Sequence, residues 1–211
     1  MVYIIMICMT VPLLLLMTML DNKSRLLLGF VLCGMVLAVC AYEINSLVCY
    51  SLQLSGPELS ITAAPVIEEI LKALPVLFFA VLVSDERKQI LQLAMAVGIG
   101  FAILENAFLL LTYVNEVDIG WAIARGISTS LSHGICTLTV GCGIIFVRKQ
   151  KKLFYTGTFA LLALAMTFHA TFNLLIQSQY DYVALVLPIV IYAVFWIVRL
   201  KRRQLSVQTK I

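Results

Sequence analysis

The chain has 211 residues, of which 62% are hydrophobic and only 12% are charged. Soluble domains carry about 25% charged residues, so this composition excludes an ordinary soluble protein and predicts an all-α, polytopic integral membrane protein. The formal net charge of +4 comes from basic residues between and after the apolar segments. We therefore attribute this net charge to the membrane topology of the chain and to contact with the lipid bilayer, and we expect no nucleic-acid partner.

Seven apolar segments follow one another along the chain, each near the roughly 20 residues that a membrane-crossing helix needs. The first segment has no basic leader and no clear cleavage site, so we expect a retained span and not a signal peptide. The connections are short, which predicts a single membrane domain over residues 1–211. The predicted spans are about 2–20, 26–50, 59–83, 89–114, 119–147, 153–177 and 181–199.

Lysine and arginine alternate from one connection to the next. The second, fourth and sixth connections contain neither residue, whereas the first, third and fifth connections and the C-terminal tail are basic. Cytoplasmic loops carry the excess of positive charge, so about seven transmembrane helices are predicted, with the N-terminus outside and the C-terminus in the cytoplasm. We expect a multi-pass plasma-membrane protein, such as one of a bacterial inner membrane. The basic residues are Lys23, Arg25, Arg87, Lys88, Arg148, Lys149, Lys151, Lys152, Arg199, Lys201, Arg202, Arg203 and Lys210.

Four of the predicted spans also carry ionisable or amide side chains within their apolar runs. A charged group at membrane depth costs roughly 2.5–3.5 kcal/mol even on lenient scales, so such residues usually mark functional sites. Counted at about 1.5 Å per residue from the span ends, all four clusters lie roughly 12–21 Å below the outer surface. We therefore predict one reaction centre in the outer half of the membrane, formed by Glu68, Glu69, Lys72, Glu105, Asn106, His133, His169 and Asn173.

Helical spacing predicts which of these side chains share a face. Residues four apart are neighbours on a helix, which pairs Glu68 with Lys72, Phe101 with Glu105, and His169 with Asn173. Pro65 and Pro75 flank the first cluster and are expected to loosen its helix.

The chemistry of the centre has two interpretations. The three carboxylates and one lysine leave an excess of two negative charges, which requires either retained protons or a divalent cation. In the first case a carboxylate activates water, and His169 with Asn173 stabilises an oxyanion. In the second, Zn²⁺ is held by ligands from Glu69, Glu105, His133 and His169. No HExxH motif is present, so the two cases stay open.

Arg125 precedes His133 by eight residues and lies nearer the outer surface. We expect it to pair with Glu43, Glu116 or Asp118; the alternative is that it steers a carboxylate of the substrate. Two other functions are compatible with buried polar clusters: a non-catalytic membrane scaffold, and a proton- or cation-coupled transporter.

Four motifs in order on successive spans resemble the PrsW family of intramembrane proteases. Residues 68–72 read EEILK and match the EExxK motif, while residues 98–106, GIGFAILEN, are similar to the family's GxGFAxxEN segment. His133 and the HATFN stretch that begins at His169 match the third and fourth motifs. The resemblance covers about residues 59–177, the expected catalytic core. It also relates the chain to type II CAAX-prenyl endopeptidases, to bacteriocin-processing membrane proteases and to the Aph subunit of γ-secretase.

The resemblance implies an intramembrane endopeptidase whose glutamates and histidines activate water. Its expected substrate is a single-span membrane protein or a lipidated peptide, cut near the extracytoplasmic side. Glu68, Glu69, Glu105, His133, His169 and Asn173 would then be catalytic. Lys72, Phe101, Asn106 and Arg125 would support them.

Overall fold

The computed structural model describes residues 1–208, and within them the chain forms eight α-helices and no strand. Lys210, one of the residues used to predict the topology, lies outside the described part. The helices are α1 (Val2–Met17), α2 (Asn22–Leu52), α3 (Gly56–Ile61), α4 (Ala63–Leu82), α5 (Arg87–Thr112), α6 (Ile119–Ile144), α7 (Lys151–Ile176) and α8 (Asp181–Gln208). All helices but the short α3 correspond to one predicted span each.

The third predicted span is not one helix but two, separated at Thr62. A capping box between Ser55 and Glu58 starts α3, and the helix is interrupted at Thr62, whose backbone angles (φ −102°, ψ −76°) are distorted from those of a regular helix. Proline clashes with the carbonyl four residues before it and lacks an N–H to bond with it, so Pro65 prevents a continuous helix through Ile61. Pro75, in contrast, lies inside α4 without ending it.

Among the described residues, four helical stretches are long and apolar enough to cross a membrane by themselves: α2, α5, α7 and residues Asp181–Val198 of α8. The apolar helix α1 is shorter, with 16 residues. The other two long helices, α4 and α6, carry the charged and polar residues of the predicted centre. The all-helical, multi-pass character is thus confirmed, while the count of seven spans stays a prediction.

Helix α5 packs most extensively against α2 and α6, and glycines make these contacts close. A Cβ atom at Gly100 of α5 would collide with the carbonyl oxygen of Val31 in α2. One at Gly98 would lie 2.8 Å from Gly134 Cα and would also meet the carbonyl oxygen of His133 in α6. Small residues allow this approach of helix backbones in membranes, and here they set the position of His133.

Replacing Gly98 with Ala should destabilise the protein by about 1–3 kcal/mol, because the added methyl group must push α6 away from α5. Thermal unfolding in lipid nanodiscs measures the effect. Gly126→Ala is the matched control, because a Cβ atom at Gly126 meets nothing within 4 Å; equal unfolding temperatures for the two variants would contradict the expectation.

Candidate active site

The centre is built around a fully buried ion pair between Glu69 and Lys72, which are both 0% exposed. Lys72 Nζ donates to Glu69 Oε1 at 2.6 Å, and His169 Nδ1 lies 2.9 Å from the same oxygen. The carboxylate accepts this second hydrogen bond, so the proton of His169 is on Nδ1 and its Nε2 carries a free lone pair. This arrangement confirms that α4 and α7 bring their polar residues together.

His133 of α6 is held on both sides of its ring. Its Nδ1 lies 2.9 Å from Lys72 Nζ, and its Nε2 lies 2.7 Å from Glu105 Oε2 of α5. The rings of His133 and His169 meet edge to face at 4.8 Å between centroids. Phe101 covers the centre, with Lys72 Nζ 4.7 Å from its ring centroid. At least one residue of each of the four predicted clusters therefore takes part in a single contact network.

Glu68 lies beside this core and not in it. Its Oε2 is 3.8 Å from His169 Nε2, and its Oε1 accepts a hydrogen bond from Asn45 Nδ2 of α2 at 3.2 Å. Sequence reasoning missed Asn45. The available signal was an amide in the middle of the second apolar segment, since polar residues at such depth usually have a partner.

The predicted pairing of Lys72 with Glu68 is wrong. Lys72 pairs with Glu69, three residues before it, because the face that carries both side chains points into the core. Glu68 is on the adjacent face and points toward α2. Residues three apart are helix neighbours as much as residues four apart, so the spacing alone did not decide between them.

The predicted partners of Arg125 are also wrong. Arg125 Nη2 lies 3.1 Å from Glu105 Oε1. Glu43 instead accepts from the Tyr3 hydroxyl at 2.6 Å, and Asp118 caps the N-terminus of α6. Because α5 and α6 pack closely, Arg125 reaches across to Glu105 and fixes the carboxylate that contacts His133.

Two predicted site residues make no hydrogen bond or ion pair with the cluster: Asn173 bonds elsewhere, and the amide oxygen of Asn106 is without a partner among the described residues. Asn173 Nδ2 donates to the carbonyl oxygen of Ser60 at 2.8 Å and so ties α7 to the end of α3. One of the two amide hydrogens of Asn173 is therefore used by Ser60, the other can still donate, and the oxyanion role beside His169 stays a prediction. Asn106 is buried, and its Oδ1 has no hydrogen-bond partner among the described residues.

Three residues lie close enough together to hold a metal ion, and they are a different set from the predicted one. Glu68, His133 and His169 each offer one possible ligand atom, and these three atoms lie within 4.8 Å of one another. Two imidazoles and a carboxylate are donors that suit Zn²⁺ with an open position. The contact between His169 Nδ1 and Glu69 is the kind that orients metal-binding histidines. The donor types of Glu68, His133 and His169 therefore fit a cation, and Glu69 Oε2 beside them is buried without a hydrogen-bond partner among the described residues.

The family model described as PrsW family intramembrane metalloprotease matches residues 22–199 of the chain. The chain belongs to the PrsW family. No curated protein and no solved structure matches it significantly. Membership makes this PrsW-family protein a multi-pass intramembrane protease. The matched range extends beyond the predicted core of 59–177 to α2 and to most of α8, while the relationships to CAAX endopeptidases and the Aph subunit stay predictions.

In this PrsW-family protein, Arg125→Gln should lower kcat about 10- to 100-fold with little change in KM. Hydrogen bonds to charged groups contribute about 1.5–3 kcal/mol, and this one positions Glu105 against His133. Steady-state kinetics on a synthetic peptide that spans a cleavage site measure both constants, with Arg125→Lys as the charge-retaining comparison. A raised KM at constant kcat would instead indicate that Arg125 binds a carboxylate of the substrate.

Proposed function

We propose that this protein hydrolyses a peptide bond of a single-span membrane protein or lipidated peptide, in the outer half of the plasma membrane. One observation carries the proposal: Glu68, His133 and His169 bring ligand atoms within 4.8 Å of one another next to an accessible carboxylate, Glu105. A divalent metal such as Zn²⁺ would be held by Glu68, His133 and His169. When bound, it would polarise the peptide carbonyl and make water nucleophilic at neutral pH.

Glu105 is the proposed general base. Its side chain is 31% exposed to solvent, whereas the side chains of His133 and His169 are almost completely buried. A carboxylate in this position can take a proton from the attacking water and return it to the leaving amine. Arg125 holds one oxygen of Glu105, which leaves the other oxygen beside His133.

The remaining residues hold the side chains of the centre in fixed positions. Glu69 holds His169 through Nδ1, as carboxylates do for histidines that bind metals. Lys72 neutralises the buried carboxylate of Glu69 and contacts His133. Phe101 shields this pair from the side of α5.

One observation favours a reaction without metal. If Lys72 donates to Nδ1 of His133, the proton of that ring is on Nε2 and faces Glu105. Both ring nitrogens of His133 are then used within the network, and Glu68 beside His169 would be the base that activates water. The retention of metal by purified variants separates the two reactions.

The site is proposed to lie on the extracytoplasmic side of a seven-span chain. The alternation of basic connections supports this topology, as does the start of α4 soon after a connection without lysine or arginine. An impermeant thiol label, applied to a cysteine-free background, should reach Ser178→Cys from outside but not Ser84→Cys. The reverse pattern would place the site on the cytoplasmic side.

The proposal is tested by comparing cells that carry the wild-type chain with cells that carry Glu68→Gln at equal abundance. Mass spectrometry of protein termini should find single-span proteins cut near the outer membrane boundary only with the wild type. Glu86→Gln, at an exposed carboxylate outside the site, should behave as the wild type. Identical termini with wild type and Glu68→Gln would refute the proposal and favour the scaffold or transporter interpretation.

A further inference from the structure

We propose that a cavity between α2, α4 and α5 is the groove in which an apolar stretch of substrate polypeptide binds, with the scissile bond at its inner end. The cavity has a volume of about 720 Å³. It extends from the start of α1 and the end of α2 to the carboxylates of Glu68 and Glu105. This inference rests on the proposed proteolytic function and adds to it the place where the substrate enters.

The exposure of the site residues indicates this entry. Glu69 and Lys72 are 0% exposed, and His133 and His169 are 3% exposed. Glu68 and Glu105, in contrast, have side chains that are 13% and 31% exposed, and both line the cavity. A reactant that reaches the cluster through this cavity therefore meets the two carboxylates first.

A second cavity lies between α6, α7 and α8 but does not offer the same approach. It has a volume of about 360 Å³ and is lined by Trp121, Arg125, Thr129 and Leu185, among others. Neither Glu68 nor Glu105 contributes to its lining. It touches the far side of Arg125, so a substrate there would be separated from the reactive carboxylates by the guanidinium group.

The lining of the first cavity suits a polypeptide better than a lipid chain. Most of the wall is apolar, with Ala38, Leu104 and Phe108 among its residues. A peptide bond in a helix has its N–H and C=O groups bonded within the helix, so it must unwind before water can attack it. Unwound backbone at membrane depth needs polar partners, which an acyl chain does not.

Polar groups of this kind are present on the α2 wall. Tyr42, Asn45 and Ser46 line the cavity on successive turns beside the carboxylate of Glu68. Asn45 also donates to Glu68, so it connects the wall of the groove to the reactive centre. The occupant is therefore an unwound, mainly apolar peptide segment that lies along α2.

The test uses the full chain in lipid nanodiscs and a synthetic peptide that spans the cleavage site found in cells. Ala38→Leu adds bulk to the half-buried wall of the groove, whereas Cys40→Leu adds bulk at an exposed position of α2 outside it. Ala38→Leu should raise KM about tenfold with kcat nearly unchanged, and Cys40→Leu should match the wild type. An unchanged KM for Ala38→Leu would overturn the proposal that the substrate binds in this groove.

A crosslinking measurement covers the case in which Ala38→Leu fails to fold. The same peptide, with a photoreactive leucine next to the scissile bond, is irradiated with the slow variant Glu105→Gln. Adducts on the α2 and α5 walls, such as Leu104 or Phe108, are expected. Adducts on Trp121 or Leu185 would overturn the proposal that the peptide binds in this groove. A bound phospholipid that the peptide fails to displace would overturn it as well. Absence of any cleavage by the wild type would overturn the proposed function itself.

Discussion

Replacing Glu105 with Gln should lower kcat by about 10²- to 10⁴-fold, the usual contribution of a general base, while the protein keeps its metal. The amide retains the shape of the carboxylate but cannot accept a proton from water. The change leaves the side chains of the proposed ligands Glu68, His133 and His169 in place, and it replaces only the carboxylate that lies 2.7 Å from His133 Nε2. Peptide cleavage in nanodiscs gives kcat, and elemental analysis of the purified protein gives the metal content.

Glu68→Gln is the matched variant, because it makes the same chemical change at the other carboxylate that lines the cavity. It should lower metal content as well as cleavage, since it removes a ligand. A membrane-permeant chelator should inactivate the wild type, and added Zn²⁺ should restore it. If the wild type holds no metal and resists the chelator, while Glu68→Gln is inactive, Glu68 is the base of a reaction without metal. Full activity of Glu105→Gln would remove Glu105 from the mechanism.

Replacing Lys72 with Met should destabilise the protein by about 3–5 kcal/mol, because it leaves the carboxylate of Glu69 buried without its cation. Both side chains are 0% exposed, so water cannot compensate for the loss. The change also removes the contact with His133 Nδ1, and cleavage should be lost. Unfolding by denaturant in mixed micelles, followed by tryptophan fluorescence, measures the stability.

Two further variants make this expectation specific. The double variant Lys72→Met with Glu69→Gln should regain part of the stability, because no uncompensated charge is left. Lys149→Met removes a half-exposed lysine that lies 3.8 Å from Asp85, and such surface pairs contribute about 0–1 kcal/mol. If Lys72→Met cost no more stability than Lys149→Met, the ion pair would not hold the centre together.

Several features of the site could be predicted from the sequence because they depend on local spacing or on the cost of burial. Glu69, His133 and His169 interrupt apolar segments, and this alone marked them as members of one centre. Counting residues from the span ends placed them at similar depth, and the structure brings them into contact. The regular rise of a helix makes such a count reliable.

Other features depend on how the helices are rotated against one another. Arg125 contacts Glu105 and not the predicted acids, because glycines bring α5 and α6 together at Gly98 and Gly134. Asn45 reaches Glu68 only because α2 packs beside α4. Sequence spacing specifies which face of one helix a residue occupies, but it does not specify which helix that face meets.

The sequence by itself predicted that this protein is helical, that it lies in the membrane, and that the ionisable residues of four apolar segments lie close together. These properties follow from hydropathy, helical period and the energy of burying charge, which act along a single segment. Only the tertiary structure decided that Lys72 pairs with Glu69, that Asn173 holds Ser60, and that Glu68 and Glu105 face the cavity. These choices depend on contacts between segments far apart in the chain, which shape and close packing determine.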